Sequence, residues 1–338
     1  MGINPSIIVL RSDKPLEESI FRKISLFCNV KPECMIENRT LQNLYEAPLM
    51  LEKSEFSDVV CRELHIDVPK PELSDWEQMV ERIRNRSEEV HIGLVGKYVK
   101  LHDAYLSVAE AMSHAGYELN TFVRIHWIDS ENITKENVNG ILEGLDGIII
   151  PGGFGNRGIE GMIQSANYAR KNQIPYFGIC LGMQIAVIEF ARNVLGLKDA
   201  HSGEFDEQCE HKVIDFMPGQ SEEIDKGGTL RLGSYPCSIK AGTKLEKCYG
   251  NKLIYERHRY EFNNKYREEL MRAGLVVSGT SSDDRLVETV ELQGHPFFVG
   301  VQFHPEFKSR PNRSHPLFKG FISAARVMKC SRIKRKEE

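Results

Sequence analysis

The hydrophobic pattern of the chain changes character near Val90. Before that point Ser6-Ile-Ile-Val-Leu10 reads as a buried strand and Arg22-Lys-Ile-Ser-Leu-Phe-Cys28 as a second, since short apolar runs of this kind suit strands covered on both faces. Too few elements remain up to Leu73 to supply that cover, so the segment calls for a partner or for further chain. Val68-Pro-Lys-Pro-Glu-Leu-Ser74 reads as a linker, because each proline removes a donor and fixes the backbone. Ser74-Asp-Trp-Glu77 fits a capping box, and Trp76, Met79, Val80 and Ile83 fall on one face of the helix it would open.

Beyond Val90 short apolar runs alternate with amphipathic stretches. Strands are predicted at His91–Val95, Phe122–Trp127, Asp146–Ile150 and Ile174–Ile179. The helices between and after them run from Asp103, as a cap, to a stop at Gly116, from Ile163 to Lys171 and from Leu181 to Val194. Such β–α alternation predicts an α/β fold with a doubly wound, mostly parallel sheet. Residues 201 to 253 carry glycine pairs and hairpin-like runs, which predicts a small antiparallel addition. The alternation is expected to resume with Leu275-Val-Val, Val287–Leu292 and Phe297–Phe303, and to end in a helix from His315 to Met328. The expected parts are an incomplete α/β segment at 1–73, a linker helix at 74–90, the doubly wound domain at 91–329 and a frayed charged tail at 330–338.

Length and charge narrow the classes of function. At roughly 150 residues per domain, 338 residues suggest two domains with cores of their own. The 44 Lys+Arg against 48 Asp+Glu give a net charge of −4, which argues against a nucleic-acid binder and favours small-molecule or protein partners. Eight scattered cysteines, with no C-x-x-C pair and no zinc-finger spacing, read as free thiols in a reducing compartment, and no metal site is expected. No apolar run approaches the ~18 residues of a membrane span, and Ile7–Leu10 is too short for a signal peptide. The start Met1-Gly-Ile-Asn-Pro-Ser6 does fit the loose myristoylation pattern.

Three short segments could do chemistry. Gly178-Ile-Cys-Leu-Gly182 stands where a buried strand turns into a helix, the setting of a nucleophile elbow with cysteine in place of serine. Glycines there allow a tight turn, and the helix N-terminus would favour the thiolate of Cys180. The bland alternative is a buried, inert cysteine. Phe303-His-Pro-Glu306 follows another apolar strand, so in a parallel sheet His304 can emerge on the same edge as Cys180, with Glu306 orienting its ring. Alone it would read as a surface histidine in a proline-bounded turn. Pro151-Gly-Gly-Phe-Gly155 could bring a backbone N–H to an oxyanion, beside that of Leu181, or could cradle a phosphate. It lacks G-x-G-x-x-G spacing, and Gly93-Leu-Val-Gly-Lys-Tyr98 is too short for a P-loop.

These segments in this order resemble the class I (triad) glutamine amidotransferases. Within them, Gly93–Tyr98, Gly155-Asn-Arg-Gly158, Gly228-Thr-Leu-Arg-Leu-Gly233, Glu256-Arg-His-Arg-Tyr-Glu261 and His315-Pro-Leu-Phe resemble the CTP synthases. Arg11-Ser-Asp-Lys, Lys23–Asn29 and Tyr45-Glu-Ala-Pro48 resemble the end of that family's amidoligase domain, an incomplete P-loop-type segment. The resemblance implies a flavodoxin-like amidotransferase fold at 91–329. It also implies glutamine hydrolysis through a thioester on Cys180 and delivery of ammonia to a UTP 4-phosphate made with ATP and Mg2+. By motif position Cys180, His304 and Glu306 would be the triad, and Gly153, Leu181, Gly182, Met183, Gln184, Glu204 and Arg259 would hold glutamine or its oxyanion. Arg157 would lie in the loop tied to activation by GTP, and Lys23 near the UTP site.

Read from residues alone, Glu204 is a solvated loop acid and Arg259 part of a basic surface cluster. The resemblance further implies a cytoplasmic protein, tetrameric as a complete enzyme, with no cofactor held by this chain itself. Two departures stand out. The family's P-loop, magnesium carboxylates and UTP loop are missing, so this chain alone is expected to make no CTP and at most to hydrolyse glutamine. The family's E-R-H-R-H-R-Y-E is two residues shorter here, which alters the approach to Arg259. Rival readings are an inert fragment acting as an assembly partner, and another hydrolase on the same elbow, such as a cysteine peptidase or gamma-glutamyl hydrolase. A zinc deaminase, suggested by His304-Pro-Glu, lacks P-C-x-x-C.

Overall fold

A computed structural model describes residues 4–216, 235–250, 254–256 and 260–337, and its contacts divide the chain into Met1–Asn85 and Arg86–Glu338. In the first unit β1 (Ile8–Ser12) leads through α1 (Glu18–Cys28) to β2 (Met35–Arg39), which pairs with it in parallel. The short helices α2 (Ala47–Lys53), α3 (Phe56–Leu64) and α4 (Ser74–Arg84) follow.

The expected strand at Arg22–Cys28 is therefore part of a helix. Phe21, Ile24 and Ser25 turn inward at helical spacing, onto a core of Val30, Cys34, Met35, Ile36 and Val59, while Leu26 and Phe27 stay exposed. An apolar run this short fits either period, and tertiary packing decides. The capping box also fails. Leu73 is the N-cap of α4 without a side-chain bond, and Ser74, already helical, donates its N–H to Glu72 Oε1 at 2.9 Å.

The second unit begins with β3 (Glu88–Gly96), α5 (Leu106–Glu118), β4 (Thr121–Asp129), α6 (Val138–Leu142) and β5 (Gly147–Ile150). It continues with α7 (Ile159–Lys171), β6 (Tyr176–Ile179), α8 (Leu181–Phe190), β7 (His201–Ser202), β8 (Lys212–Phe216), β9 (Tyr235–Ile239) and α9 (Lys244–Tyr249). The last elements are β10 (Ile254–Glu256), β11 (Tyr260–Phe262), α10 (Arg267–Arg272), β12 (Leu275–Ser281), β13 (Val287–Leu292), β14 (Phe298–Val301) and α11 (Pro316–Glu337).

Nine strands form one sheet in the order β10-β9-β12-β13-β14-β6-β5-β3-β4, and β11-β8-β7 form a small second sheet. From β14 to β4 every pairing is parallel. From β14 to β10 every pairing is antiparallel. The fold is a mixed sheet with a parallel core between helices, the α/β class that the pattern predicts. The antiparallel addition is larger than the pattern predicts, since it takes in β12 and β13 as well. These strands are buried almost throughout, and burial on both faces erases the alternation by which antiparallel strands are recognised.

Successive residues of the central strands pack on opposite layers. Ile148, Ile150, Tyr176 and Phe298 meet Met162, Ile185 and Ile188 of α7 and α8. Ile149, Phe177, Val299 and Val301 meet Met112 of α5 and Phe318 and Phe321 of α11. Gly116 does not end α5; it lies within the helix, which closes at Leu119 before the left-handed Asn120. Asp103 sits in a 3₁₀ turn ahead of it. The expected frayed tail is helical as far as Glu337, and Arg332 Nη2 approaches Asp146 Oδ1 to 2.7 Å. Among the described residues no helix is long and apolar enough to cross a membrane.

Candidate active site

The centre of the site follows from strand register. β6 and β14 are parallel neighbours with Ile179 opposite Val301, so the chain leaves both strands on the same edge. Cys180 comes directly after β6, and its N–H donates to Val301 O at 2.7 Å. Its backbone holds φ 52° and ψ −103°, a conformation unusual for any side chain but glycine, and α8 starts at the next residue. Two glycines make this turn possible. A Cβ on Gly178 would run into the main chain of Gly182, and one on Gly182 into the carbonyl of Ile150. Tyr176, fully buried, donates its hydroxyl to Gly182 O at 2.7 Å and pins the first turn of the helix.

His304 comes three residues past the end of β14, and its ring and Cys180 both lie against Gly152. Its Nδ1 faces Glu306 Oε1 at 2.8 Å, which leaves Nε2 for the thiol. Glu306 is buried, and its Oε2 has no protein partner among the described residues. Burial alone would push the imidazole of His304 down; its bonds to Cys180 and Glu306, and their charges, outweigh that and raise it from 6.5 to about 10. At neutral pH the ring is then an imidazolium, set between the sulfur of Cys180 and the buried side chain of Glu306.

The loop after β5 closes over this pair. Ile150 is paired with Gly178, so Gly152 arrives beside the elbow, where a Cβ would lie 2.9 Å from His304 Cε1 and 3.6 Å from Cys180 Cβ. Gly153 lies over Leu181. As the first residue of α8, Leu181 has an N–H with no intrahelical acceptor. Met183 is packed beneath Gly300. Gln184 and Gln302 are both buried, with Gln184 Nε2 3.4 Å from Gln302 Oε1 and Gln302 Nε2 3.6 Å from Cys180 Sγ.

Glu204 is not a solvated acid. Its Oε1 accepts the N–H of Gly155 at 3.2 Å, which ties the turn after β7 to the glycine loop. Arg157 donates to Glu131 Oε1 at 2.6 Å and to the carbonyl of Lys97 at 3.1 Å. Lys23 belongs to the first unit, exposed on α1. Arg259 lies outside the described residues, as does Gly228–Gly233. Two residues that the sequence reading did not select reach this region. Gln302 touches the sulfur, and its only signal is its place two residues before His304. Lys97 follows β3, is buried, and donates its ammonium to the carbonyl of Phe154 at 3.0 Å and to that of Gly155. Burial pulls this lysine from 10.5 down to about 8, with Glu204 opposing and Arg157 adding to the shift.

The chain matches known proteins over most of its length. The family model "Glutamine amidotransferase class-I" matches residues 100–324, and "CTP synthase N-terminus" matches residues 1–66. The CTP synthase of Listeria innocua is 55% identical over 327 residues, covering 96% of this chain and 62% of its own. That of Carboxydothermus hydrogenoformans is 57% identical over 327 residues, covering 96% and 61%. The chain thus spans about three fifths of the length of these relatives. A solved structure, the Trypanosoma brucei CTPS glutaminase domain with bound acivicin, shares 40% identity at a TM-score of 0.66, covering 70% of this chain and 94% of that one.

Proposed function

The chain belongs to the CTP synthases, its second unit being a class I glutamine amidotransferase, and from that premise we propose that Cys180, His304 and Glu306 hydrolyse glutamine to glutamate and ammonia. The observation that carries this reading is the single edge on which β6 delivers Cys180 in a strained turn and β14 delivers an imidazole already paired with a buried carboxylate.

The sulfur of Cys180, its proton already held on the imidazole of His304, attacks the side-chain carbonyl carbon of glutamine, and the carbonyl electrons move onto its oxygen. The N–H groups of Gly153 and Leu181 receive that oxyanion, in the manner of donors set in advance where charge will develop. The imidazolium of His304 gives its proton to the departing nitrogen, which leaves as ammonia, and a thioester remains on Cys180. Neutral His304 then takes a proton from water, the hydroxide attacks the thioester, and the sulfur leaves with the bonding electrons as glutamate departs, the water's proton staying on the ring. Glu306 holds the ring with Nε2 toward the reaction throughout. Gln184, Glu204 and Arg259 are proposed to hold the amino-acid end of glutamine, with Gly182 and Met183 shaping the first turn beneath it.

We propose further that the ammonia serves amination of UTP to CTP with ATP and Mg2+, on an amidoligase domain of which the first unit corresponds to one end. No step of that reaction is assigned to residues of this chain. Lys23 is proposed to lie at the UTP site and Arg157 in a GTP-responsive loop. The latter is supported by the bond from Arg157 to Lys97, which itself holds the glycine loop. A cytoplasmic tetramer completes the proposal, and the free state of all eight cysteines supports a reducing compartment.

The test is glutamate release by the chain and by Cys180→Ala, with and without GTP and a separately supplied amidoligase domain. Cys180-dependent release that rises with the added domain is expected. A folded sample that releases no glutamate under any of these conditions would overturn the reading.

A further inference from the structure

Among the described residues, the outer part of the glycine loop that covers Cys180 has little apolar to hold it. Phe154, Gly155, Asn156 and Arg157 are all exposed, and Gly155 sits at φ 75° with open space where a side chain would be. An exposed loop of this kind samples many conformations unless polar contacts fix it. Here the fixing comes from beneath. Lys97 leaves the end of β3, anchored by its own N–H on the hydroxyl of Tyr105 at 3.1 Å and by its carbonyl on Arg157. Its ammonium then rises to the carbonyls of Phe154 and Gly155.

The geometry of one peptide plane makes this contact consequential. The carbonyl of Phe154 and the N–H of Gly155 belong to the same rigid amide and point in opposite directions. Lys97 takes the first and Glu204 the second, so that plane is held at both ends. A rotation there would have to be absorbed by the planes that precede it in the loop, the first carrying the N–H of Phe154 and the next that of Gly153. Burying an ammonium without a complete ion pair is costly. A lysine placed here only to fill space has no reason to keep its charge under two carbonyls.

We propose that Lys97 is the positioning residue of the oxyanion loop: by gripping the Phe154 and Gly155 carbonyls it sets the direction in which Gly153 presents its N–H to the tetrahedral intermediate. This rests on the glutaminase reading above. The ammonium of Lys97 is spent on loop carbonyls and not on the sulfur, so its loss should impair the step that develops the oxyanion and spare both the binding of glutamine and the reactivity of the thiol.

The full chain is compared with Lys97→Met, which keeps the apolar stem, and with Lys97→Arg, which restores a donor. Three readouts are taken: kcat and KM for glutamine hydrolysis, alkylation of Cys180 by iodoacetamide followed on its own peptide, and hydrogen exchange of residues 152–157. Alkylation needs no oxyanion hole. In Lys97→Met kcat should fall by roughly 10- to 100-fold, short of the 10²–10³ for outright removal of a donor. KM should change by less than about threefold, alkylation by less than about twofold, and loop exchange should quicken about tenfold or more. Lys97→Arg should recover part of kcat. The proposal is overturned if Lys97→Met keeps the parent kcat, if kcat and alkylation fall together, or if loop exchange is unchanged. Should the parent chain release no glutamate, the glutaminase reading falls by itself, and loop exchange alone still decides whether Lys97 grips the loop.

Discussion

Gly182→Ala separates a tight nucleophile turn from a merely close-packed one. Gly182 is the second residue of α8, and a methyl group there would sit 3.0 Å from the carbonyl carbon of Ile150 and closer still to its oxygen. Contacts of a real Cβ are ordinary at 3.4 Å and beyond, so the first turn of α8 must draw back from β5 by on the order of 1 Å. The obstacle is a main-chain carbonyl in a fully buried strand, which has no room to yield. Overpacking of this kind costs about 1–3 kcal/mol. Drawing back also strains the bond from Tyr176 to Gly182 O, worth roughly 1 kcal/mol.

The effect on catalysis should exceed the effect on stability. A displacement of about 1 Å at a reacting group costs on the order of 10²-fold in rate, and Cys180 is joined directly to the turn that moves. Glutamine hydrolysis measured beside thermal unfolding therefore should show kcat/KM down about 100-fold while Tm falls by only several degrees, at roughly 2–4 °C per kcal/mol for a domain of this size. A variant with the parent kcat/KM and Tm would refute the reasoning, because it would show that α8 has slack against β5.

Two further outcomes are expected. In Glu306→Gln the imidazole of His304 loses one of the two partners that lift it to about 10 against burial. The imidazolium is then given up at lower pH, so the alkaline limb of glutamine hydrolysis should move down by more than about one pH unit, and an unmoved limb would sink this account. Glu189 is fully buried on α8, where it accepts bonds from Asn167 at 2.7 Å and from Arg170 at 2.8 Å. Glu189→Ala leaves that guanidinium uncompensated and should lower the stability by about 3–5 kcal/mol in urea unfolding, whereas a loss below about 1 kcal/mol would show the cluster to be dispensable.

The parallel core was legible because Ile148–Ile150 and Tyr176–Ile179 are unbroken apolar runs next to helical periods, and such runs have few other uses. From it followed the meeting of Cys180 with His304, since consecutive parallel strands end on one edge. Strand direction was not legible where both faces are buried: Val287–Leu292 reads the same whichever way it runs. The helix at Glu18–Cys28 was hidden because Leu26 and Phe27, exposed in this unit, lengthen the apolar run into a false strand. Lys97, and the role of Glu204 apart from the resemblance, were hidden for another reason. Their work is done on backbone atoms of Phe154 and Gly155, far along the chain from either, and a backbone acceptor leaves no mark in an amino-acid sequence.

The place of β14 in the sheet also bears on how the protein comes into being. It comes after the other eight in chain order, yet it occupies the middle of the nine, between β13 and β6. A growing chain ending before Phe298 can pair β4 through β6 on one side and β10 through β13 on the other, but nothing joins the two halves. Arrival of the final strand closes a long-range contact that is intrinsically slow to form, and in the same event it carries His304 and Glu306 to a cysteine made more than a hundred residues earlier. Until that strand is in place Cys180 stands without the imidazole and the carboxylate, and both arrive as the core is completed. A nascent or broken chain lacking that strand would carry the elbow sequence without the chemistry.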